Sequence, residues 1–159
     1  MEGVWMLRLL ALLVLVVPTL KGAAVSETVG AEATIRVALS AMQDAANAHD
    51  TDRFMNWYLH DNSLVITFDG DTMRGWQAIR DQQLAWWDNG KSKAVYREEQ
   101  RPEITMQGSD IATTVQWLEV SGPTVDNKAK PARLVVTSVW KQRPEGWRIV
   151  LAHESLRID

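Results

Sequence analysis

Apolar residues recur at three- and four-residue steps through Ile35, Ala38, Leu39, Met42, Ala45 and Ala46, a single stripe along one helix that starts near Thr28. His49-Asp50 ends that helix, and the Asp50 carboxylate suits the N-cap of the next by accepting from a free backbone N–H. This second helix is short, with Phe54, Trp57 and Tyr58 on one side, and Asp61-Asn62-Ser63 closes it. Leu64-Val65-Ile66-Thr67-Phe68 reads as a strand, and Asp69-Gly70-Asp71 as a turn. Gly75 opens a third helix carrying Trp76, Ile79, Gln83, Trp86 and Trp87, which stops at Asn89-Gly90. The pattern then changes to strands over 94–106, 111–120, 133–142 and 147–156, separated by Gly108-Ser109-Asp110, by Gly122-Pro123 with the polar stretch after it, and by Arg143-Pro144-Glu145-Gly146. Pro102 cannot donate to a central ladder and predicts a bend in the first long strand. Helices gathered ahead of one antiparallel sheet predict an α+β fold.

The chain of 159 residues fits one globular domain, and its start does not belong to it. After Arg8 a nearly continuous apolar run extends to Val17, broken by Pro18 and followed by the small residues Gly22, Ala23, Ala24 and Ser26. Basic start, apolar centre and small-residue exit are the layout of a secretory signal peptide, and the run is shorter than the roughly 20 residues that cross a bilayer. Residues 1–26 are therefore expected to be a leader and residues 27–159 the mature domain, periplasmic or secreted, with no membrane association after cleavage. The chain has no cysteine, so an exported domain of this sequence must be held by its core alone. Its formal net charge of −3, without any basic run, argues against a nucleic-acid partner.

The order and spacing of several short segments resemble the SnoaL-like branch of the nuclear transport factor 2-like superfamily, to which ketosteroid isomerase also belongs. The resemblance rests on Ala48-His49-Asp50, Tyr58 with Asp61, Arg74-Gly75-Trp76-Gln77-Ala78-Ile79, and Gly146-Trp147-Arg148-Ile149-Val150 with His153-Glu154-Ser155, and it covers residues 31–156. It implies a cone in which three N-terminal helices close over the concave face of a curved antiparallel sheet, leaving a pocket inside, with the convex face available to pair two subunits. By the same matching, Arg148, Val150, Ala152 and Glu154 of the last strand face inward, as do Val136, Ser138 and Trp140, with Thr113, Val115 and Trp117 beside them. Trp147, Ile149, Leu151, His153 and Ser155 then face outward.

This orientation sets the candidate chemistry. Glu154 is the candidate catalytic residue, because a carboxylate in a tryptophan-lined cavity loses hydration, its pKa rises, and it becomes fit for general acid–base work. Trp57, Tyr58, Tyr96, Trp117, Ser138 and Trp140 are the expected pocket residues, and aromatic walls suit a hydrophobic or aromatic small molecule. The isomerase machinery is not reproduced: the resemblance puts Met42 at its tyrosine position and Ile66 at its base position, and neither side chain can take the role. The three histidines lack metal-ligand spacing, so no metal or other cofactor is expected, and no GxSxG, Gly-rich phosphate loop or cysteine nucleophile suggests another reaction. Two functions remain: a small-molecule pocket with acid–base chemistry at Glu154, or a non-catalytic association module that works through a homodimer on the convex face.

Overall fold

A computed structural model describes residues 20–122 and 131–158. Helix α1 (Leu20–Asn47) is followed by α2 (Thr51–Met55), strands β1 (Val65–Phe68) and β2 (Asp71–Arg74), helix α3 (Trp76–Trp86), a single 3₁₀ turn at Asp88–Gly90, and strands β3 (Val95–Met106), β4 (Ile111–Ser121), β5 (Ala132–Arg143) and β6 (Gly146–Ile158). Positions 1–19 of the expected leader lie outside the described residues, and the backbone of the remainder runs into α1. No helix among the described residues is long and apolar enough to cross a membrane.

The strands form one six-stranded sheet in the order β2-β1-β6-β5-β4-β3. The β2 strand, which the sequence pattern did not separate from the turn before it, makes a hairpin with β1. β1 also pairs in parallel with the chain-terminal β6, so the sheet is antiparallel except at that one join. β3 changes register twice between Glu98 and Glu103, a stretch that includes Pro102, where the missing N–H had predicted a bend.

The helical stripe docks as its period requires: Ile35, Ala38, Leu39, Met42, Ala45 and Ala46 are all buried. Asp50 caps α2, its Oδ1 accepting from Arg53 N at 3.1 Å. The last turn of α1 also secures β3, an edge strand. Asn47 Nδ2 donates to Tyr96 O at 3.0 Å, Asn47 Oδ1 accepts from Tyr96 N at 2.8 Å, and Gln43 Nε2 donates to the same carbonyl at 3.2 Å. Side-chain amides thus complete backbone groups that an uncovered edge would leave open.

The buried residues form two clusters. One joins α1 and α2 to the β1–β6 end of the sheet through Ile35, Leu39, Met55, Leu64, Ile79, Trp140, Trp147 and Ile149. The other lies toward the far ends of β4 and β5, through Leu118, Val120, Leu134 and Val136. An open cavity separates them.

Two strands depart from the expected inward and outward phase. In β4 the buried set is Ala112, Thr114, Gln116, Leu118 and Val120, so Thr113, Val115 and Trp117 face outward instead of into the cone. The ladder requires this: Thr114 is opposite Ser138 and Gln116 opposite Val136, and directly opposed residues share a face. In β6, Val139 pairs with Leu151 but Trp140 pairs with Ile149, leaving Val150 as an extra residue. This bulge inverts the strand's phase. Trp147 and Ile149 before it are buried, contrary to expectation, while Arg148 and Val150 are only half-buried. Ala152 and Glu154, after it, face inward as expected.

Candidate functional site

The cavity between the two clusters has a volume of about 320 Å³, within the range of small-molecule sites. Helix α1 supplies Met42, Gln43 and Ala46 to its wall; α2 and the turn after it supply Phe54 and Tyr58. Phe68 of β1, Trp86 and Trp87 at the end of α3, and Tyr96 of β3 close the aromatic side. The floor is the concave face of the sheet, including Gln116, Leu118, Val136, Ser138, Glu154 and Leu156.

The aromatic rings form a connected wall. Phe54 lies 5.5 Å from Tyr58 and 5.2 Å from Trp87 between ring centroids, Trp87 lies 6.3 Å from Tyr96, and Phe68 packs against Trp86 at 5.1 Å. Trp87 Nε1 donates to the Tyr96 hydroxyl at 2.9 Å, which satisfies a buried indole and fixes the tyrosine's tip.

Several polar side chains on the wall have no hydrogen-bond partner among the described residues, Ser138, Tyr58 and Glu154 among them. Ser138 is buried, and its hydroxyl forms no hydrogen bond. Tyr58 is buried too, and its hydroxyl has no bond to any described residue. The Glu154 carboxyl has neither a hydrogen bond nor an ion pair among the described residues, although the Glu154 backbone carbonyl accepts from Asp69 N at 3.3 Å. In a native interior an unpartnered carboxyl is costly, and such groups concentrate at functional sites. Burial, reinforced by the nearby charge of Asp69, pushes the Glu154 carboxyl up to about 7. Tyr58 is raised well above its ordinary value by burial and then by Glu154, and Tyr96 is raised chiefly by burial. Both phenols are therefore neutral donors at physiological pH, while Glu154 is poised between its two forms.

Of the residues expected to form the site, Tyr58, Tyr96, Ser138 and Glu154 meet in this cavity. Trp57, Trp117 and Trp140 do not. Trp57 packs against the helical core cluster. Trp117 lies on the outer face because of the β4 phase. Trp140 is fully buried below the cavity, with its indole Nε1 donating to Thr114 Oγ1 at 3.0 Å, so it serves the core. The sequence reading missed Gln116 for the same reason that it misplaced Trp117, and it passed over Phe54, Phe68 and Gln83. Met42 lines the cavity and Ile66 is buried in the core, so neither isomerase position carries a titratable group. No group of three or more potential metal-ligating His, Cys, Asp or Glu side chains occurs among the described residues.

A cone of helices over a curved sheet, with its cavity lined from both layers, matches known proteins over most of the chain. Residues 35–159 match the SnoaL-like domain. The chain belongs to this family. A nuclear transport factor 2-like protein with a cystatin-like fold from Novosphingobium aromaticivorans superposes on the SnoaL-like chain with a TM-score of 0.68 at 18% identity, covering 87% of this chain and 90% of that one. A nuclear transport factor 2-like superfamily protein from Salmonella enterica serovar Typhimurium gives 0.66 at 20% identity, covering 80% and 92%. A nuclear transport factor 2-like protein of unknown function from Pseudomonas putida gives 0.68 at 16% identity, covering 80% and 87%. At these identities the likeness establishes the fold of the SnoaL-like chain and no activity. No curated protein matches it by sequence.

Proposed function

We propose that the cone of this SnoaL-like domain holds a small, largely apolar, ring-bearing molecule, with Glu154 facing it as the group that exchanges protons. The observation that carries this reading is a single unpartnered carboxyl in an aromatic cavity, with its pKa raised to about 7. A carboxyl there is divided between acid and base near neutral pH, which is the condition for proton transfer in either direction. Neutral Tyr58 and Ser138 hydroxyls supply hydrogen-bond donors beside it. The apolar run through Val17 and the small residues that follow Pro18 support delivery of the domain to the periplasm or beyond the cell.

The pocket is tested by tryptophan fluorescence, since Trp86 and Trp87 stand in its wall. Among ring-bearing probes of different charge, at least one should give a saturable change with the wild type. They should give none with Val136→Trp, which fills the floor beside Glu154, provided that variant stays folded by circular dichroism. If no ring-bearing probe binds the wild type, the pocket reading is abandoned. For catalysis, Glu154→Gln should abolish turnover of any substrate found without lowering thermal stability.

A second reading has its own observation. The outer face of the sheet carries Val115, Trp117, Val135 and Val139, with Leu151 43% exposed among them, an apolar patch of the kind that mediates association. We infer from it a homodimer through this face. Leu151→Asp should convert the dimer to a monomer in analytical ultracentrifugation; a wild type that is already monomeric at micromolar concentration removes the reading.

A further inference from the structure

The pocket's charge and ring content bear on what kind of molecule it takes, and the following rests on the pocket reading above. None of the described residues lining the cavity is basic; the charged side chain among them is Glu154. The polar groups that share the cavity with that carboxyl are neutral on every element that lines it. Gln43 comes from α1, Tyr58 from the turn after α2, Gln83 from α3, Tyr96 from β3, Gln116 from β4 and Ser138 from β5. Asp69, in the turn after β1, adds a second negative charge close enough to raise the carboxyl's pKa.

Aromatic rings surround the same space. Phe54, Tyr58, Phe68, Trp86, Trp87 and Tyr96 all line it, and Phe68 sits beside Glu154 in the β1–β6 register. The faces of aromatic rings carry the negative end of their quadrupole and attract cations, most strongly when water is excluded. An anionic ligand would meet the Glu154 carboxylate and these rings with no basic partner among the lining residues, under the added negative charge of Asp69 outside the lining. A neutral ligand would leave the carboxyl unpaired or hold it protonated. A cation resolves both difficulties at once.

We infer that the ligand of this cavity is an organic ammonium: an apolar or ring-bearing body whose positive nitrogen is held between the Glu154 carboxylate and the surrounding aromatic faces. The wall then has a clear division of labour. Rings take the ammonium substituents and the apolar body, and Glu154 supplies the counter-charge. The unpartnered Tyr58 and Ser138 hydroxyls remain for a polar atom elsewhere on the molecule.

The test uses a permanent cation, so that any pH dependence belongs to the protein. Benzyltrimethylammonium, its neutral carbon isostere neopentylbenzene, and the anion 3-phenylpropanoate are each titrated into the protein between pH 5.5 and 8.5, following tryptophan fluorescence. At pH 8 the cation should bind at least tenfold more tightly than the isostere, and the anion should not bind. Because only the ionised carboxyl is competent, affinity for the cation should fall about tenfold for each pH unit below 7, while that for the isostere should not fall. Glu154→Gln, folded by near-ultraviolet circular dichroism, should lose both the preference and the pH dependence while still binding the isostere. An isostere that binds as well as the cation at pH 8, a cation affinity flat with pH, or a preference that survives Glu154→Gln overturns the inference and leaves the pocket standing. If none of the three probes binds, the pocket reading itself falls, and this inference with it.

Discussion

Replacing Glu154 by glutamine should make the protein more stable, and by an amount that depends on pH in a defined way. The carboxyl moves from an ordinary value of 4.5 to about 7 on folding, through burial and then the Asp69 charge. Below pH 4.5 it is protonated in both folded and unfolded chains and contributes no pH dependence. Between about 4.5 and 7 the unfolded chain releases the proton while the folded chain retains it, so the unfolded state binds fewer protons and stability falls as pH rises. Above about 7 both states are ionised and the penalty is complete. A shift of this size corresponds to about 3–4 kcal/mol at about 1.4 kcal/mol per unit, and water in the cavity brings the expected figure to about 2–3 kcal/mol. Glutamine keeps the shape and has no charge to desolvate. Urea unfolding of wild type and Glu154→Gln at one-unit steps from pH 4 to 9 isolates this group, because titrations of groups that do not interact with it cancel in the difference. The difference should be near zero at pH 4, grow in favour of glutamine through pH 5–7, and level off above 8. A difference that stays constant across this range would mean that Glu154 titrates as an ordinary surface carboxyl, and the case for a poised acid–base group would be lost.

Other substitutions probe the frame that holds the cavity. Gly122→Ala should lower stability by about 1–3 kcal/mol in denaturant unfolding, because φ there is +125° and an added Cβ would stand 2.6 Å from the Lys93 carbonyl oxygen. Asn47→Ala removes two of the three side-chain hydrogen bonds that hold the Tyr96 backbone, leaving the one from Gln43, and should cost about 1–2 kcal/mol while speeding amide hydrogen exchange at Tyr96. Trp140→Phe leaves the buried Thr114 hydroxyl without its indole donor; a loss of about 1–3 kcal/mol is expected, and an unchanged unfolding midpoint would show that this bond contributes nothing.

The helices were legible because their apolar positions admit only one face: the stripe from Ile35 to Ala46 buries as its spacing demands. The strand phases were harder. In β4 the alternate sets Ile111-Thr113-Val115-Trp117 and Ala112-Thr114-Gln116-Leu118 are both mixtures of apolar and polar residues. With a sheet that is apolar on both faces, periodicity alone does not choose between them, and only the pairing with β5 does. Matching to the family's strands chose the wrong set. In β6 the bulge has no sequence mark of its own, since Val150 is an ordinary strand residue. Glu154 was placed correctly from the end of the chain, whereas Trp147 and Ile149, beyond the bulge, were not. Tyr58 and Ser138 were found because the second helix and β5 contain no such irregularity ahead of them. The aromatic wall was anticipated as a kind of surface, but three of its expected tryptophans belong elsewhere.

The extra residue at Val150 means that the cavity's chemistry is set partly by the bulge in its strand. Strand β6 carries two complete lining sets interleaved, Ala152-Glu154-Leu156 and Leu151-His153-Ser155, and the phase carried forward from the buried Trp147 and Ile149 selects which one faces the ligand. Were the bulge ironed out with every residue kept, unbroken alternation from those two anchors would turn His153 inward in place of Glu154 and exchange an acid for an imidazole, whereas deleting Val150 would leave a regular ladder with Glu154 still inward. The bulge, rather than the identity of any one residue, therefore decides which chemistry this strand presents to the cone, and position-by-position comparison of relatives would not register its loss.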